Sequence, residues 1–466
     1  MPCKSLNAQT KAVESLAISL FKSAPDRRPT PPINASSPRE SRQELIFCPM
    51  VIEDRQSRLS AAVERRIGVD ATCWNNTRGY GRHARALLRS LIRLDSRSRY
   101  TLFVDFPLET ADLPVEAEVR RIQCSAPAVV AASSTSHRSV LDMWRVSRAM
   151  SDPRFDLLLF PTIYTFVPVF SRAKKVVIIH DIIAESFPKL TVPRLSSRLL
   201  WTAKAAMGRR QADALATVSD YSRRGIASKF NIPSDRIFVV GEASDPVFRV
   251  IENPVPTPVL QSVGIIKGRR YLVYVGGFGP HKNLKTLVSV FSMLARQAEF
   301  GDVELVMVGE YQKEAFHTHF SEVREQILAL GMGNRILFTG YLPDEDLVML
   351  LNMATALVLP SLIEGFGLPA IEAAACGCPI IATSASPLPD LMGAGGEYFD
   401  PNKPPELESA IARLFASERL RLQRRELVLK AANRLTWDAA ARQMMAVFQT
   451  LLPVEEGRIP GRTIPD

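Results

Sequence analysis

Cysteine is scarce and scattered in this chain. Six cysteines occur in 466 residues, and only Cys376 and Cys378 lie close together. No pair of CxxC units is present, which excludes zinc ribbons and disulfide scaffolds and favours a reducing, cytoplasmic location. Small buried residues at a tight turn explain the Cys-Gly-Cys spacing better than a metal ion does.

Long apolar runs are missing as well. The best run, residues 157–170, is about 14 residues long and contains Pro161 and Pro168, whereas a membrane-spanning helix needs about 20 residues. Glu14 interrupts the apolar segment near the start, which argues against a secretory signal. We therefore expect a chain that does not cross a membrane.

Acidic residues are fewer than basic ones, and aromatic residues are few. Lys and Arg number 58 against 48 Asp and Glu, the net charge is +10, and 8% of residues are aromatic. This balance predicts an anionic partner, such as a phosphorylated substrate or a membrane surface. No basic stretch carries the interleaved aromatic residues of a nucleic-acid-binding module, so we expect no nucleic-acid partner.

Length and apolar pattern predict an α/β protein of two domains. The 466 residues are too many for one core, and apolar runs of strand length alternate with helical patterns, as in parallel sheets. The predicted organisation is a disordered extension at 1–62, a first domain at 63–250, a linker at 251–266, a second domain at 267–434, a helix at 435–452 and a tail at 453–466. The clearest strands are predicted at 66–70, 100–106, 156–160, 175–180, 271–275, 304–308 and 356–359.

Two glutamates eight positions apart, Glu364 and Glu372, flank a glycine-containing loop and the first turn of a helix. A buried strand precedes the loop, Gly365 and Gly367 permit a sharp turn, and Pro369 suits the helix start. The helix N-terminus then offers free N–H groups for a diphosphate, and Glu372 leans back toward it. The alternative is that Glu372 complements the helix dipole and Glu364 is a solvated loop acid.

A second glycine-rich loop, residues 276–283, lies between the strand at 271–275 and another helical pattern. Its Lys282 stands at the start of that helix, where a cation opposes the helix dipole. We interpret it as a ligand for a bound anion, and a solvated surface lysine is the alternative.

Four blocks carry a resemblance to a known family. They are Gly68-Val69-Asp70 with Arg78-Gly79-Tyr80-Gly81-Arg82, Ile179-His180-Asp181 with Phe187-Pro188, the loop at 276–283, and the glutamate pair. With these blocks the chain resembles, over about residues 67–448, the family 4 (group 1) glycosyltransferases, retaining enzymes of the GT-B fold that use nucleotide sugars. The resemblance implies two Rossmann-like domains with parallel sheets facing across a cleft, nucleotide-sugar binding by the second domain, and a last helix that crosses back to the first.

The resemblance also assigns roles to individual residues. Lys282 would neutralise the donor diphosphate, Glu364 would contact hydroxyls of the transferred sugar, and Glu372 would bind the nucleotide ribose. His180 could be a sugar ligand, a general base or a core histidine, and its position at a strand end favours the ligand role. The predicted catalytic residues are His180, Lys282 and Glu364. The predicted donor-binding residues are Gly79, Gly81, Gly277, Lys282, Gly365, Phe366, Gly367, Leu368 and Glu372.

Two positions depart from the family pattern. Gly277 stands where many relatives have arginine, a variant of a subgroup that resembles mannosyltransferases, so GDP-mannose is the first choice of donor. Glu242-Ala243-Ser244-Asp245 replaces the usual Asn-Gly-Val-Asp before the linker, which leaves the contacts near the hinge open.

Two charged segments have competing interpretations. Asp344-Glu345-Asp346 spells an acidic metal motif but follows Pro343 and starts a helical pattern, so we expect a helix cap, no metal and no cofactor. Arginines at helical spacing form a cationic stripe that either docks on anionic lipid at the inner face of the membrane or is a solvated helix face. The stripe consists of Arg78, Arg82, Arg85, Arg89 and Arg93.

The sequence therefore predicts a metal-independent, retaining hexosyltransferase. It would move a sugar, mannose first, to a glycan or lipid-linked acceptor in cell-surface polysaccharide or glycolipid synthesis. A nucleotide-sugar epimerase of the same fold and a non-catalytic sugar-nucleotide-binding protein are the alternatives.

Overall fold

The structure is a computed structural model that describes residues 65–77, 79–108, 112–131, 139–192, 194–311 and 318–453. The predicted extension at 1–62, Arg78 and nearly all of the tail lie outside the described residues. Within them, every strand pairing is parallel, and the strands form two separate sheets. The predicted pair of parallel α/β sheets is thus confirmed.

The first sheet has seven strands in the order β3-β2-β1-β4-β5-β6-β7. Its strands are β1 (Arg65–Asp70), β2 (Ser98–Val104), β3 (Glu118–Arg121), β4 (Leu157–Phe160), β5 (Lys174–Ile178), β6 (Ala214–Thr217) and β7 (Ile237–Val239). The order of the strands along the chain reverses between β1 and β4. In open parallel sheets, ligands bind beyond the carboxyl ends of the strands at such a point.

The second sheet has six strands in the order β10-β9-β8-β11-β12-β13. They are β8 (Tyr271–Val275), β9 (Glu304–Val308), β10 (Ile336–Gly340), β11 (Ala356–Leu359), β12 (Ile380–Thr383) and β13 (Gly396–Phe399). Here the order reverses between β8 and β11, the two strands that lead into the predicted donor-binding loops.

Helices connect the strands, as right-handed parallel crossovers require. In the first half they are α1 (Gly79–Leu94), α2 (Ala128–Ala131), α3 (Val140–Met150), α4 (Ile183–Ser186), α5 (Pro188–Thr191), α6 (Leu195–Gln211) and α7 (Asp220–Phe230). In the second half they are α8 (Pro258–Ser262), α9 (Leu284–Leu294), α10 (Phe320–Ala329), α11 (Asp344–Met353), α12 (Leu368–Ala375), α13 (Leu388–Met392), α14 (Pro404–Ala416), α15 (Glu418–Ala432) and α16 (Trp437–Leu451).

The central strands are buried on both faces, which explains their unbroken apolar sequences. All four residues of β4 and of β11 are buried, as expected for strands covered by helices on both sides. The last helix, α16, packs on α1, and its Met444 and Phe448 join the core of the first sheet with Leu87 and Leu91. The chain therefore returns to the first domain after completing the second.

Two strands have no counterpart in the clear sequence pattern. The edge strand β3 reads Glu-Val-Arg-Arg and is at most half-buried, so it carries no apolar run. The strand β13 begins at a glycine and is only four residues long. Across the described ranges, we find no helix with the length and apolar character needed to span a bilayer.

Candidate functional site

A cleft with a volume of 1460 Å³ opens between the carboxyl ends of the two sheets. It is lined by ten of the eleven predicted site residues: Gly79, His180, Gly277, Lys282, Glu364, Gly365, Phe366, Gly367, Leu368 and Glu372. The structure thus brings together, in one cavity, side chains that the sequence places up to 293 positions apart on the chain, from Gly79 to Glu372.

The loops after β8 and β11 meet through an ion pair. The ammonium group of Lys282 lies 2.7 Å from Oε1 of Glu364, and the hydroxyl of Ser361 donates to the same oxygen at 2.6 Å. Burial alone would raise the pKa of Glu364, but the charge of Lys282 and these hydrogen bonds hold it below its usual value. Glu364 is therefore a buried, ionised carboxylate whose charge Lys282 compensates.

The loop that follows Glu364 makes a tight contact with the opposite domain. A Cβ atom at Gly365 would lie 2.6 Å from Cβ of Asp181, so only glycine permits this approach. The Gly365 carbonyl accepts hydrogen bonds from the hydroxyls of Ser219 and Ser222, at 2.8 and 3.0 Å. These bonds join the donor-side loop to the N-terminal end of α7.

Helix α12 starts inside the cleft. Gly367 has a φ of +86°, a left-handed conformation that suits glycine, and α12 begins at the next residue with proline in its first turn. Gly367, Leu368 and Pro369 line the cleft at this helix start, so the positive end of the helix dipole favours an anion there, although the N–H of Ala370 already bonds the Gly367 carbonyl at 2.8 Å.

Glu372 lies one turn into α12 and is already paired. Its Oε1 is 3.0 Å from Nη2 of Arg82. The guanidinium of Arg82 also donates a bidentate pair of hydrogen bonds to the carboxylate of Asp344, at 2.9 and 3.1 Å. Burial, together with neighbouring acids, raises the pKa of Glu372 to about 7 against the opposing charge of Arg82. Arg82 comes from α1, so this pair links the two domains.

The described arginines of the predicted cationic stripe on α1 have partners within the chain, and docking of the stripe on anionic lipid stays a prediction. Arg82 faces the cleft, and Arg85 donates to the backbone carbonyls of Trp74 and Asn76. Arg89 pairs with Asp112 and Arg93 with Asp438. Each of the four arginines of the stripe that the structure describes is thus engaged by the chain itself.

The two predicted site glycines of α1, Gly79 and Gly81, occupy their positions for different structural reasons. Gly79 lines the cleft at the helix start, and a Cβ there would meet no atom within 4 Å. A Cβ at Gly81 would lie 2.1 Å from the carbonyl oxygen of Asn76, so Gly81 permits helix packing instead. Gly81 does not line the cavity, so its predicted contact with the donor phosphates has no support here.

His180 follows β5 and lines the cleft. Its ring packs edge to face on the ring of His83, with centroids 4.7 Å apart. Nδ1 of His83 lies 2.7 Å from Oε1 of Glu242, a cleft residue in the segment that departs from the family pattern. Burial, and then His83, lower the pKa of His180 well below its usual value.

These three side chains are the one group with metal-ligand character in the described part of the chain. The close contact between His83 and Glu242 requires a proton on Nδ1, whereas a metal ion needs the lone pair of that nitrogen. Asp344 and Asp346 are held by Arg82 and by the hydroxyl of Thr257 and belong to the first turn of α11. Asp344 and Asp346 therefore have partners within the chain, whereas neither ring nitrogen of His83 or of His180 makes a hydrogen bond in the described structure.

The N-terminal side of the cleft differs because it is apolar and aromatic. The rings of Tyr80, Tyr164 and Trp201 stack in series, each pair with centroids 5.1 Å apart. Large apolar side chains that are exposed to solvent line the adjoining mouth: Val140, Trp144, Phe170, Leu200 and Met207. Sequence reasoning missed this surface, since its members come from separate elements.

The chain resembles known proteins in sequence and in fold. The sequence profile of the Glycosyl transferases group 1 family matches residues 259–431. The chain is 30% identical over 241 residues to O-antigen chain mannosyltransferase B of Escherichia coli, which is 52% of this chain and 61% of that protein. The match thus spans less than two thirds of this relative.

Solved structures resemble the whole two-domain unit. Sucrose-phosphate synthase from Thermosynechococcus elongatus superposes with a TM-score of 0.65 at 17% identity, over 83% of this chain and 99% of that one. The Anabaena protein HepE, in complex with UDP and glucose, has a TM-score of 0.61 at 16% identity, over 83% and 100%. These likenesses confirm the predicted GT-B fold. Residues 259–431 thus match the group 1 glycosyl transferases in sequence, and the chain shares the two-domain GT-B fold of these solved structures.

Proposed function

We propose that this protein is a metal-independent, retaining hexosyltransferase. It takes a sugar, mannose first, from a nucleotide diphosphate sugar and transfers it to a glycan or lipid-linked acceptor. The observation that carries the proposal is the convergence of Lys282, Glu364, Glu372 and the N-terminus of α12 on one cleft. This set suits a ligand with a diphosphate between a ribose and a sugar.

The main chemical task is the charge that develops on the departing nucleotide diphosphate. Lys282 and the positive end of the α12 dipole are fixed before the reaction, so they stabilise that charge without reorganisation. Glu364 holds the Lys282 ammonium in place and leaves one carboxylate oxygen for sugar hydroxyls. Glu372 is proposed to bind the nucleotide ribose, and His180 to contact the transferred sugar. A retaining reaction needs no separate base, which agrees with a neutral His180.

The donor and the setting are proposed from the relatives and from the surface. The name of the Escherichia coli relative supports mannose, hence GDP-mannose, and the UDP-bound HepE shows that a similar fold accommodates a nucleotide. The exposed apolar mouth supports a lipid-linked acceptor, because patches of this kind mark binding sites for apolar partners. We propose action at the cytoplasmic face of the membrane, in polysaccharide or glycolipid synthesis.

A nucleotide-sugar panel tests the donor. The full-length protein is heated with GDP-mannose and other nucleotide sugars, and a ligand at a hundred times its dissociation constant adds about 2.7 kcal/mol of stability. We expect a selective upward shift of the melting temperature. No shift with any nucleotide sugar would contradict the donor-binding site.

Transfer itself is tested with the donor that binds. We expect a glycosylated acceptor with the anomeric configuration of the donor, formed equally well after dialysis against EDTA. Free sugar released at the same rate without acceptor would instead indicate the epimerase alternative. Donor binding without any turnover would indicate the non-catalytic one.

A further inference from the structure

Three buried side chains from three elements meet behind the cleft. His180 follows β5, His83 lies in the first turns of α1, and Glu242 follows β7. All three are nearly inaccessible to solvent, with exposures of 9%, 0% and 6%. Polar groups at such depth need a structural reason, because burying them without partners destabilises the fold.

Glu242 and His83 form a defined pair. Oε1 of Glu242 and Nδ1 of His83 are 2.7 Å apart. A carboxylate and an unprotonated nitrogen would repel each other at this distance, so we assign a proton to Nδ1, although the pair does not meet hydrogen-bond geometry in the described structure. This contact fixes the orientation of the His83 ring and leaves its Nε2 as the second, distinct nitrogen.

The oriented ring of His83 then constrains His180. The two rings meet at an interplanar angle of 82°, and the indole of Trp437 packs on the other side of His83 at 5.6 Å. In the described structure, neither ring nitrogen of His180 has a hydrogen-bonding partner. Both nitrogens are buried as well as unpartnered, and the ring of His83 packs against the His180 ring and helps to set its plane.

We propose that Glu242 and His83 are positioning residues that hold the imidazole of His180 in one ring plane. This inference rests on the proposed function, since His180 is there the group that contacts the transferred sugar. It assigns a role to the Glu242-Ala243-Ser244-Asp245 segment, whose departure from the family pattern places a carboxylate under His83. The low pKa of His180 agrees with a neutral ring.

The test reads the state of His180 directly. The chain has six histidines, so labelling with 15N-histidine gives few imidazole signals, and His180 is assigned by their loss in His180→Asn. The wild type should show a neutral imidazole with one set of signals at His180. Glu242→Gln and His83→Phe should each shift or broaden those signals, because the ring is then no longer held in one plane. Identical His180 signals in the wild type and both variants would overturn the proposal.

A matched control separates orientation from nearby charge. Asp245, like Glu242, contributes to the electrostatic environment of Glu372, but it bonds the backbone N–H of Val247 rather than His83. Asp245→Asn should therefore leave the His180 signal unchanged. A change equal to that in Glu242→Gln would overturn the proposal, because general electrostatics would then explain both. A His180 signal altered by EDTA would also overturn it, in favour of a bound metal ion.

Kinetics supply the functional readout. Glu242→Gln and His83→Phe should lower kcat about tenfold and leave the donor KM within about twofold, because misorientation of a catalytic group acts on the transition state. Unchanged kcat would contradict positioning. Failure of the wild type to transfer any sugar would refute the proposed function alone, since the imidazole spectra do not depend on turnover.

Discussion

The two sides of the cleft are built from different interactions. The donor side uses charges held in place: Lys282 on Glu364, and the start of α12 beside them. The N-terminal side, apart from Arg82 and the histidine pair, presents stacked aromatic rings and apolar side chains such as Trp144, which is 53% exposed. A diphosphate carries the same charge in every reaction, so groups that are fixed in place can stabilise it each time. An apolar surface instead selects an acceptor by its shape.

The largest expected effect is on the donor side. Lys282→Ala should lower kcat by about 10²–10³-fold, since it removes a fixed positive charge from the leaving diphosphate. Steady-state kinetics with saturating donor measure this loss. Lys285→Ala is the control, because Lys285 is an exposed lysine in the first turn of the following helix. Equal loss in both variants would mean that general positive charge, and not the position of Lys282, matters.

Variants of the Lys282–Glu364 ion pair allow its effects on stability and on catalysis to be measured separately. Lys282→Ala leaves Glu364 buried without its counter-charge, which should destabilise the fold by about 1–3 kcal/mol. Adding Glu364→Gln removes that charge and should restore the melting temperature, but not the activity. Recovery of both would contradict a direct role for these two side chains.

The second effect concerns the apolar side. Trp144→Ala with Phe170→Ala should raise the KM for a lipid-linked acceptor about tenfold and leave the donor KM unchanged, since each large apolar side chain contributes about 1.5–3 kcal/mol when fully covered and less when partly covered. Leu422→Ala, an exposed leucine of α15 that does not line the cleft, is the control. If the acceptor KM does not move, the apolar mouth is not the acceptor site.

Arg82 crosses the boundary between the two sides. Arg82→Gln removes the bridge to Asp344 and Glu372 and should cost about 1–2 kcal/mol, less than a fully buried pair because Arg82 keeps some exposure. The melting temperature should fall by about 2–4 °C. Arg89→Gln, which breaks a solvent-exposed pair with Asp112, should shift it by less than 1 °C. Equal shifts would show that Arg82 does not hold the domains together.

Sequence reasoning succeeded where the signal is local. The apolar runs of β9 and β11 gave strands with the predicted bounds, because a strand buried on both faces carries a nearly continuous apolar sequence. The loops at Lys282 and Glu364 could also be predicted from the local sequence, because glycines and a helix start lie next to the charged residues. Their predicted roles remain predictions.

Contacts between distant segments could not be read in this way. Arg82 belongs to a helical row of arginines, and its partner Asp344 is 262 positions away, so the row alone suggested a solvated or lipid-facing stripe. His83 and Glu242 likewise carry no local sign of their contact. The glycines before Arg82 were the available hint, because they place α1 at the cleft, but they do not say which side chain reaches across.

The last predicted effect is a dependence on pH at Glu372. Its pKa, raised by burial from 4.5 to about 7, means that the folded protein binds more protons than the unfolded chain between these values. Stability without donor should therefore fall as pH rises from 5 to 8, by about 3 kcal/mol at most. Ribose hydroxyls prefer the ionised carboxylate, so donor binding should instead strengthen over the same range, by about tenfold at most.

Melting curves from pH 5 to 8, with and without a nucleotide sugar, measure both trends together. Glu372→Gln cannot ionise, so it should lose both, and the remaining slope then belongs to other groups such as Asp181, whose pKa burial raises to about 6. A donor-induced shift with the same pH slope in wild type and Glu372→Gln would remove Glu372 from the donor site. A pH slope of donor-free stability that is unchanged in the variant would mean that Arg82 keeps Glu372 ionised throughout this pH range.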